Sequence, residues 1–187
     1  MTPKIQFAKP DVVQAAFEVL KDRGLSGLTA RNVAGQLGSS TAPVYAHFDN
    51  MKELEVAAVR KARDLLIDYT SRPHTDRVFL SMGVGIAKFA RDHARLYRAI
   101  FLERKEFRIV VDEFLQALTS EFAKDPRFEA MADEDSKYML TKMWVFTHGL
   151  ASLLCVGLVD DESDEHIVSI LDSVGTVVIK ATIADCR

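Results

Sequence analysis

Apolar residues return every three or four positions along almost the whole 187-residue chain, and the strict alternation that marks half-buried strands is scarce. That periodicity restricts the fold to packed helices, an all-α protein. From Asp11 to Arg23, one broad face carries Val12, Val13, Ala16, Phe17, Val19 and Leu20, with Pro10 ahead of it and Gly24 as a stop. A short second helix is predicted from Thr29, as N-cap, to Leu37, burying Val33 and Leu37, and Gly38 takes the left-handed turn that ends it. Ser40 then caps a third helix. Pro43 falls in its first turn, where a missing N–H breaks no intrahelical bond, and Val44 and Phe48, four apart, face the first two helices. Three short helices joined through a glycine turn make a helix-turn-helix unit. Asp49 and Asn50 offer an N-cap for a long helix from Met51 to Tyr69. Further amphipathic helices are expected near 76–91, 94–103, 105–124, 134–158 and 164–184, separated by acidic connectors. The chain thus divides into 1–50, a connecting helix at 51–72, and a larger part at 73–187.

Composition narrows what such a bundle does. With 48% hydrophobic residues the chain buries a sizeable core, and a net charge of −3 means that a polyanion would have to meet a local patch. Up to Arg72 the charge is +2, and beyond it −5. Cys155 and Cys186 have no paired spacing and suit a reducing cytoplasm. "MTPKIQFAKP" lacks the apolar core of a signal peptide, and Met143 to Val159 is short for a membrane span and broken by Thr147, His148, Gly149 and Ser152. A cytoplasmic protein without a membrane partner is expected. No P-loop, GxSxG, HExxH or cysteine pair is present, so catalysis is not expected. His74, His93, His148 and His166 share no ligand spacing, and neither metal nor cofactor is expected.

The segment from Ser39 to Leu54 carries the most informative chemistry. If Val44 and Phe48 point inward, Thr41 and Tyr45 share another face with Ala42 and Ala46, a face that is small, hydroxyl-bearing and nearly uncharged. A helix bathed in water would carry Lys and Glu there. One that enters a major groove about 12 Å wide needs short side chains and donors. Free N–H groups with the Ser39, Ser40 and Thr41 hydroxyls suit a phosphate, as do Tyr45 and His47, and Lys52 opens the following helix. Arg31 is the long cation near the turn that reaches a base edge, while Ala42 and Thr41 present methyls to a thymine.

From Leu28 to Leu54, "LTARNVAGQLGSSTAPVYAHFDNMKEL" resembles the DNA-binding region of the tetracycline-repressor (TetR) family of bacterial transcriptional regulators. The likeness lies in Thr29 opening the second helix, Val33 with Ala34 inside it, the Gly38 turn, the Ser40 cap, Tyr45 followed by His47 and Phe48, and Lys52, Glu53 and Leu54 beyond. Three departures stand out. Ser39 replaces an aliphatic residue, Pro43 a usual Thr or Ala, and Met51 a lysine that touches phosphate in many members; Lys52 is adjacent but turned by about 100°. The resemblance implies a double-stranded operator as partner, with phosphate contacts from Thr29, Tyr45 and His47, base contacts from Arg31, Thr41 and Ala42, and a weaker clamp at the fourth helix. It also implies a homodimeric repressor released by a small-molecule effector of unknown identity. The mild charge and Met51 keep a second reading open, a helical binding module without DNA.

In such a family the remaining helices dimerise and hold the ligand. "MWVFTHGLASLL" is similar to a Trp-x-x-x-His-Gly run often found in the penultimate helix. Leu150, Leu154, Ile167, Ile170, Leu171, Val174 and Val178 are the expected dimer residues. Two glycines, Gly83 and Gly85, interrupt a helix between Met82 and Phe89, each costing ~1 kcal/mol relative to alanine. They make room either for a ligand or for a neighbouring helix. Met82, Phe89, Tyr97, Phe101, Trp144 and His148 are candidate pocket residues, with simple core packing as the other reading.

Overall fold

The computed structural model describes residues 7–129 and 131–185, and among these every regular element is a helix. They are α1 (Lys9–Arg23), α2 (Ala30–Leu37), α3 (Ala42–His47), α4 (Met51–Ser71), α5 (Val78–Asp92), α6 (Ala94–Phe101), α7 (Arg108–Phe122), α8 (Asp133–Cys155) and α9 (Asp164–Asp185). Single 3-10 turns stand at Leu25–Gly27, Lys105–Phe107 and Pro126–Phe128. The all-α class follows the periodicity. Boundaries differ from those expected by one to three residues at most helix ends, and the 105–124 segment opens with a 3-10 turn before α7 begins. Met143 to Val159 lies largely within α8, and among the described residues no helix is long and apolar enough to cross a membrane. Cys155 is half-buried, whereas Cys186 lies outside the described residues.

The chain forms two compact units. The first gathers residues 1–64 with 95–111, the second 65–94 with 112–187.

In the first unit α1, α2 and α3 pack on one another. Val12, Ala16 and Leu20 of α1 meet Val33 of α2 and Val44 of α3 in a core that also holds Phe48, Leu54 and Ala58. The ends of these helices are fixed by local hydrogen bonds. Asp11 accepts from the Ala8 N–H at 2.8 Å ahead of α1. Thr29 Oγ1 accepts from the Asn32 N–H at 3.2 Å, the N-cap expected for α2. Asn50 Oδ1 accepts from the Glu53 N–H at 3.1 Å ahead of α4, while Glu53 accepts in return from the Asp49 N–H. Gly38 sits at φ 62°, ψ 34°, and the Ser39 N–H reaches back to the Ala34 carbonyl, so α2 ends in a left-handed turn that disfavours a side chain. Leu37, expected to be buried, is only half-covered because α2 ends there.

In the second unit α5 packs against α8 and α9, which also pack on each other. Leu80, Val84 and Ala87 of α5, Leu150 and Leu154 of α8, and Ile167 and Leu171 of α9 form a continuous apolar cluster. Phe79, Phe122 and Phe128 form a second, their ring centroids 5.0 to 5.5 Å apart. Beneath it Asp125 is 2% exposed and fully bonded. It accepts from the Phe79 N–H at 3.1 Å and from Arg127 through its own N–H, Nε and Nη2 at 3.1, 2.9 and 2.6 Å. Those bonds from Arg127 hold the Asp125 carboxyl below its ordinary range despite burial.

Candidate nucleic-acid interface and ligand cavity

The third helix divides its residues by face. Val44 is 1% exposed and Phe48 is buried, so the apolar side is anchored in the three-helix core. Thr41, Ala42 and Ala46 are exposed, and Tyr45 is 57% exposed although it is large and aromatic. Pro43, Ser39 and His47 are half-covered. Thr29, Arg31, Ser40 and Lys52 are exposed, and Arg31 engages no partner among the described residues. Burial of one face and hydroxyls on the other is what a helix needs in order to dock rigidly while presenting hydrogen-bonding groups outward.

Two details differ from the sequence reading. Ser40 does not cap α3: its Oγ accepts from the Ala42 N–H at 3.3 Å, and the helix starts one residue later with Thr41 in the N-cap position and no side-chain cap. His47 is committed elsewhere, with Nε2 lying 2.8 Å from the Phe7 carbonyl oxygen. An acceptor there requires a proton on Nε2, so that nitrogen donates to the backbone and not to a phosphate. The histidine joins the start of α1 to the end of α3.

The second unit holds a cavity of about 230 Å³. Residues from α5, α8 and α9 make most of its wall, with Leu118 of α7 and Arg127 completing it. Met82 and Trp144 line it, as the sequence suggested. Phe89, Tyr97, Phe101 and His148 do not. Phe89 and Tyr97 are fully buried, with Phe89 edge-on to Tyr69 and Tyr97 against Phe101 within the first unit. His148 stacks on Trp144, and burial lowers its pKa below the ordinary 6.5.

The glycine question resolves residue by residue. A Cβ on Gly85 would overlap the Tyr69 carbonyl and lie 2.9 Å from the Thr70 Cα, so Gly85 admits the end of α4. At Gly83 a Cβ would meet only Leu171 and Thr147 side chains at 3.7 Å, and Gly83 lines the cavity. Gly175 is similar, with Met143 at 3.7 Å. Arg77, Arg127, Asp172 and Lys180 also line the cavity and were missed, because they come from segments far apart in sequence that read as solvated connectors or helix faces.

The expected dimer residues differ in exposure. Leu150, Leu154, Ile167 and Leu171 are buried in their own unit, and Ile170 packs against that cluster. Val174 and Val178 are half-covered. Among the described residues, the large apolar side chains that α8 and α9 leave exposed are Tyr138, Val145, Leu153 and Val177, followed by Val156 and Leu158 just beyond α8. Both helices are apolar on two sides, and tertiary packing decides which one is buried.

A glycine turn that sets a short, internally anchored third helix behind a capped second one defines a helix-turn-helix protein. Residues 12–58 match the family model described as bacterial regulatory proteins, tetR family. The chain is 31% identical over 99 residues to the HTH-type transcriptional repressor DrrR1 of Streptomyces coeruleorubidus, a match covering 51% of this chain and 34% of that protein. It is 24% identical over 125 residues to the uncharacterized HTH-type transcriptional regulator YobS of Bacillus subtilis, covering 64% and 65%. The matches therefore span about a third and just under two thirds of these relatives' lengths. A tetR-family transcriptional regulator from Streptomyces coelicolor shares the fold, with a TM-score of 0.75 over 94% of this chain and 81% of that one at 16% identity. Residues 12–58 thus carry the DNA-binding region of the tetR family of bacterial regulatory proteins, and the chain as a whole shares the fold of a solved tetR-family regulator.

Proposed function

We propose that the protein is a sequence-specific DNA-binding regulator in the cytoplasm, acting as a homodimeric repressor on a palindromic operator and released by a small-molecule effector. The observation that carries this reading is the division of α3, with Val44 and Phe48 buried while Thr41 and Tyr45 stand exposed. The exposed face presents hydroxyls and short side chains, which a major groove can accept. Residues 1–50 form the reading head, residues 51–72 the connection, and residues 73–187 the dimerising and ligand-binding part.

In this scheme Thr29 and Tyr45 donate to phosphates, and Arg31, Thr41 and Ala42 meet base edges. Ser39, Ser40, Pro43 and Ala46 border the groove. His47 supports α3 through Phe7 in place of a phosphate contact, and Lys52 supplies the charge where Met51 supplies none. Two copies joined through the outward valines and leucine of α8 and α9 place two such helices ~34 to 36 Å apart on successive major-groove turns. An effector that prefers a conformation with the wrong spacing weakens the operator complex by its difference in affinity for the two states.

The test is fluorescence anisotropy with duplexes from the DNA flanking the gene, centred on any inverted repeat. Tight binding that falls steeply with salt is expected, and a Thr41→Ala, Tyr45→Phe double variant should weaken it and blur its base preference. If that variant binds every duplex as the parent does, or the parent binds none at low salt, the protein is a helical binding module without DNA.

A further inference from the structure

The cavity of the second unit has two chemistries. Leu80, Ile86, Leu140, Met143, Trp144 and Leu171 give it an apolar body. Its charged lining is unbalanced, with Arg77, Arg127 and Lys180 against the single carboxylate of Asp172.

The donors of the lining are only partly used. Arg77 Nη1 donates to Asp172 Oδ1 at 2.6 Å, and the Thr176 hydroxyl lies 3.4 Å from the same oxygen. Asp125 is saturated by Phe79 and Arg127. Asp76 lies 3.7 Å from Arg77 Nε, so the three acids beside the cavity are already paired. The arginines are not used up: a guanidinium has five N–H bonds, and neither Arg77 Nη2 nor Arg127 Nη1 donates to any described residue. Lys180, two turns of α9 beyond Asp172, forms no ion pair or hydrogen bond among the described residues. Helical side chains lean toward the N-terminus, so Lys180 leans back toward the Asp172 end. Asp125 holds the Arg127 guanidinium above its ordinary range; the nearby charge of Arg77 lowers it and that of Asp76 raises it.

Free donors and one unpaired cation, Lys180, beside an apolar body select one class of ligand. A cationic amphiphile finds no unpaired acceptor there, and a neutral one leaves the free donors and Lys180 without an anionic partner. The volume is about one and a half times that of the ~150 Å³ apolar cavity that accommodates benzene, room for roughly eight to ten carbon atoms. We propose that this cavity takes an amphipathic organic acid, its apolar body against Trp144 and Met143 and its carboxylate held by Arg77, Arg127 and Lys180. The proposal rests on the reading of the second unit as the effector-binding part.

Trp144 is the chain's one tryptophan, so its emission reports occupancy directly. The full-length protein is titrated with decanoate, decanol and decyltrimethylammonium, with 2-naphthoate separating a flat aromatic body from a flexible chain. At least one acid should bind about tenfold or more tighter than decanol, and the cation weakest. Arg77→Gln and Lys180→Gln should each remove most of the acid's advantage while leaving decanol binding in place, and Gly175→Leu, with an unchanged helical melt, should block all four. Decanol binding as well as both acids, or the cation binding tightest, overturns the acid assignment and leaves the effector reading intact. If no compound moves Trp144 emission, both fall. An acid that binds as expected without loosening the protein–DNA complex upholds the ligand class and sinks only the effector role.

Discussion

Gly85 lies so close to the backbone of Tyr69 that a methyl group added to it would overlap the Tyr69 carbonyl. Gly83, two residues earlier on the same helix, has open contact distances of 3.7 Å. Gly85→Ala should therefore cost about 1–3 kcal/mol through forced backbone displacement. Gly83→Ala should gain up to ~1 kcal/mol from helix propensity while narrowing the cavity. Urea denaturation of both variants checks the opposite signs.

At the turn between α2 and α3 the constraint is conformational. Nothing lies within 4 Å of a Cβ on Gly38, yet its φ of +62° disfavours any side chain. Gly38→Ala should cost about 1–2 kcal/mol and Gly38→Asn less, because asparagine tolerates this region better. DNA affinity should fall alongside in the alanine variant, since the turn sets the angle of α3.

Acid should weaken the second unit in two separate windows. The His148 pKa lies below 6.5 because burial disfavours its charge, so the unfolded chain binds the proton first and stability declines as pH drops below about 6.5. His148→Gln should flatten that step between pH 7 and 5. Asp125, Asp164 and Asp172 have depressed values, so their contribution is complete above the unfolded value of 3.8 and is lost as pH falls through their folded values. At neutral pH, Asp125→Ala should cost about 3 kcal/mol by stranding the Phe79 N–H and Arg127, and Asp125→Asn less. Chemical denaturation at half-unit pH steps resolves both.

On DNA, Arg31→Ala should relax preference at one base position by about 1–3 kcal/mol, whereas Lys52→Ala should weaken all sequences alike and reduce the salt slope by about 0.9. Competition binding at several salt concentrations separates them. A base preference untouched by the loss of Arg31 would remove it from the reading surface.

Association should respond to outward rather than inward residues. Val177 is 66% exposed and Leu171 is fully buried, although both lie on α9. Val177→Glu should yield monomers in sedimentation with the fold retained. Leu171→Ala should leave the mass unchanged and cost about 2–5 kcal/mol of stability.

The reading head was legible in the sequence because its signals are local. Val44 and Phe48 at i, i+4, the Thr29 cap and the Gly38 turn each act over four residues, a range at which spacing decides geometry. The commitment of His47 was not legible, since its partner Phe7 lies 40 positions away and offers only a backbone oxygen. In the larger unit the helices were legible and their orientations were not. Leu150 and Leu153 are equally apolar, and only the tertiary arrangement turns one inward and the other out. The cavity was hidden for a similar reason. Arg77 meets Asp172 across 95 residues, and no periodicity links two such charges.

The Phe7 to His47 bond gives the leading end of the described chain a mechanical hold on α3. Replacing the His47 ring with a methyl group would therefore loosen α3 from behind, lowering grip on a duplex without altering one outward-facing side chain.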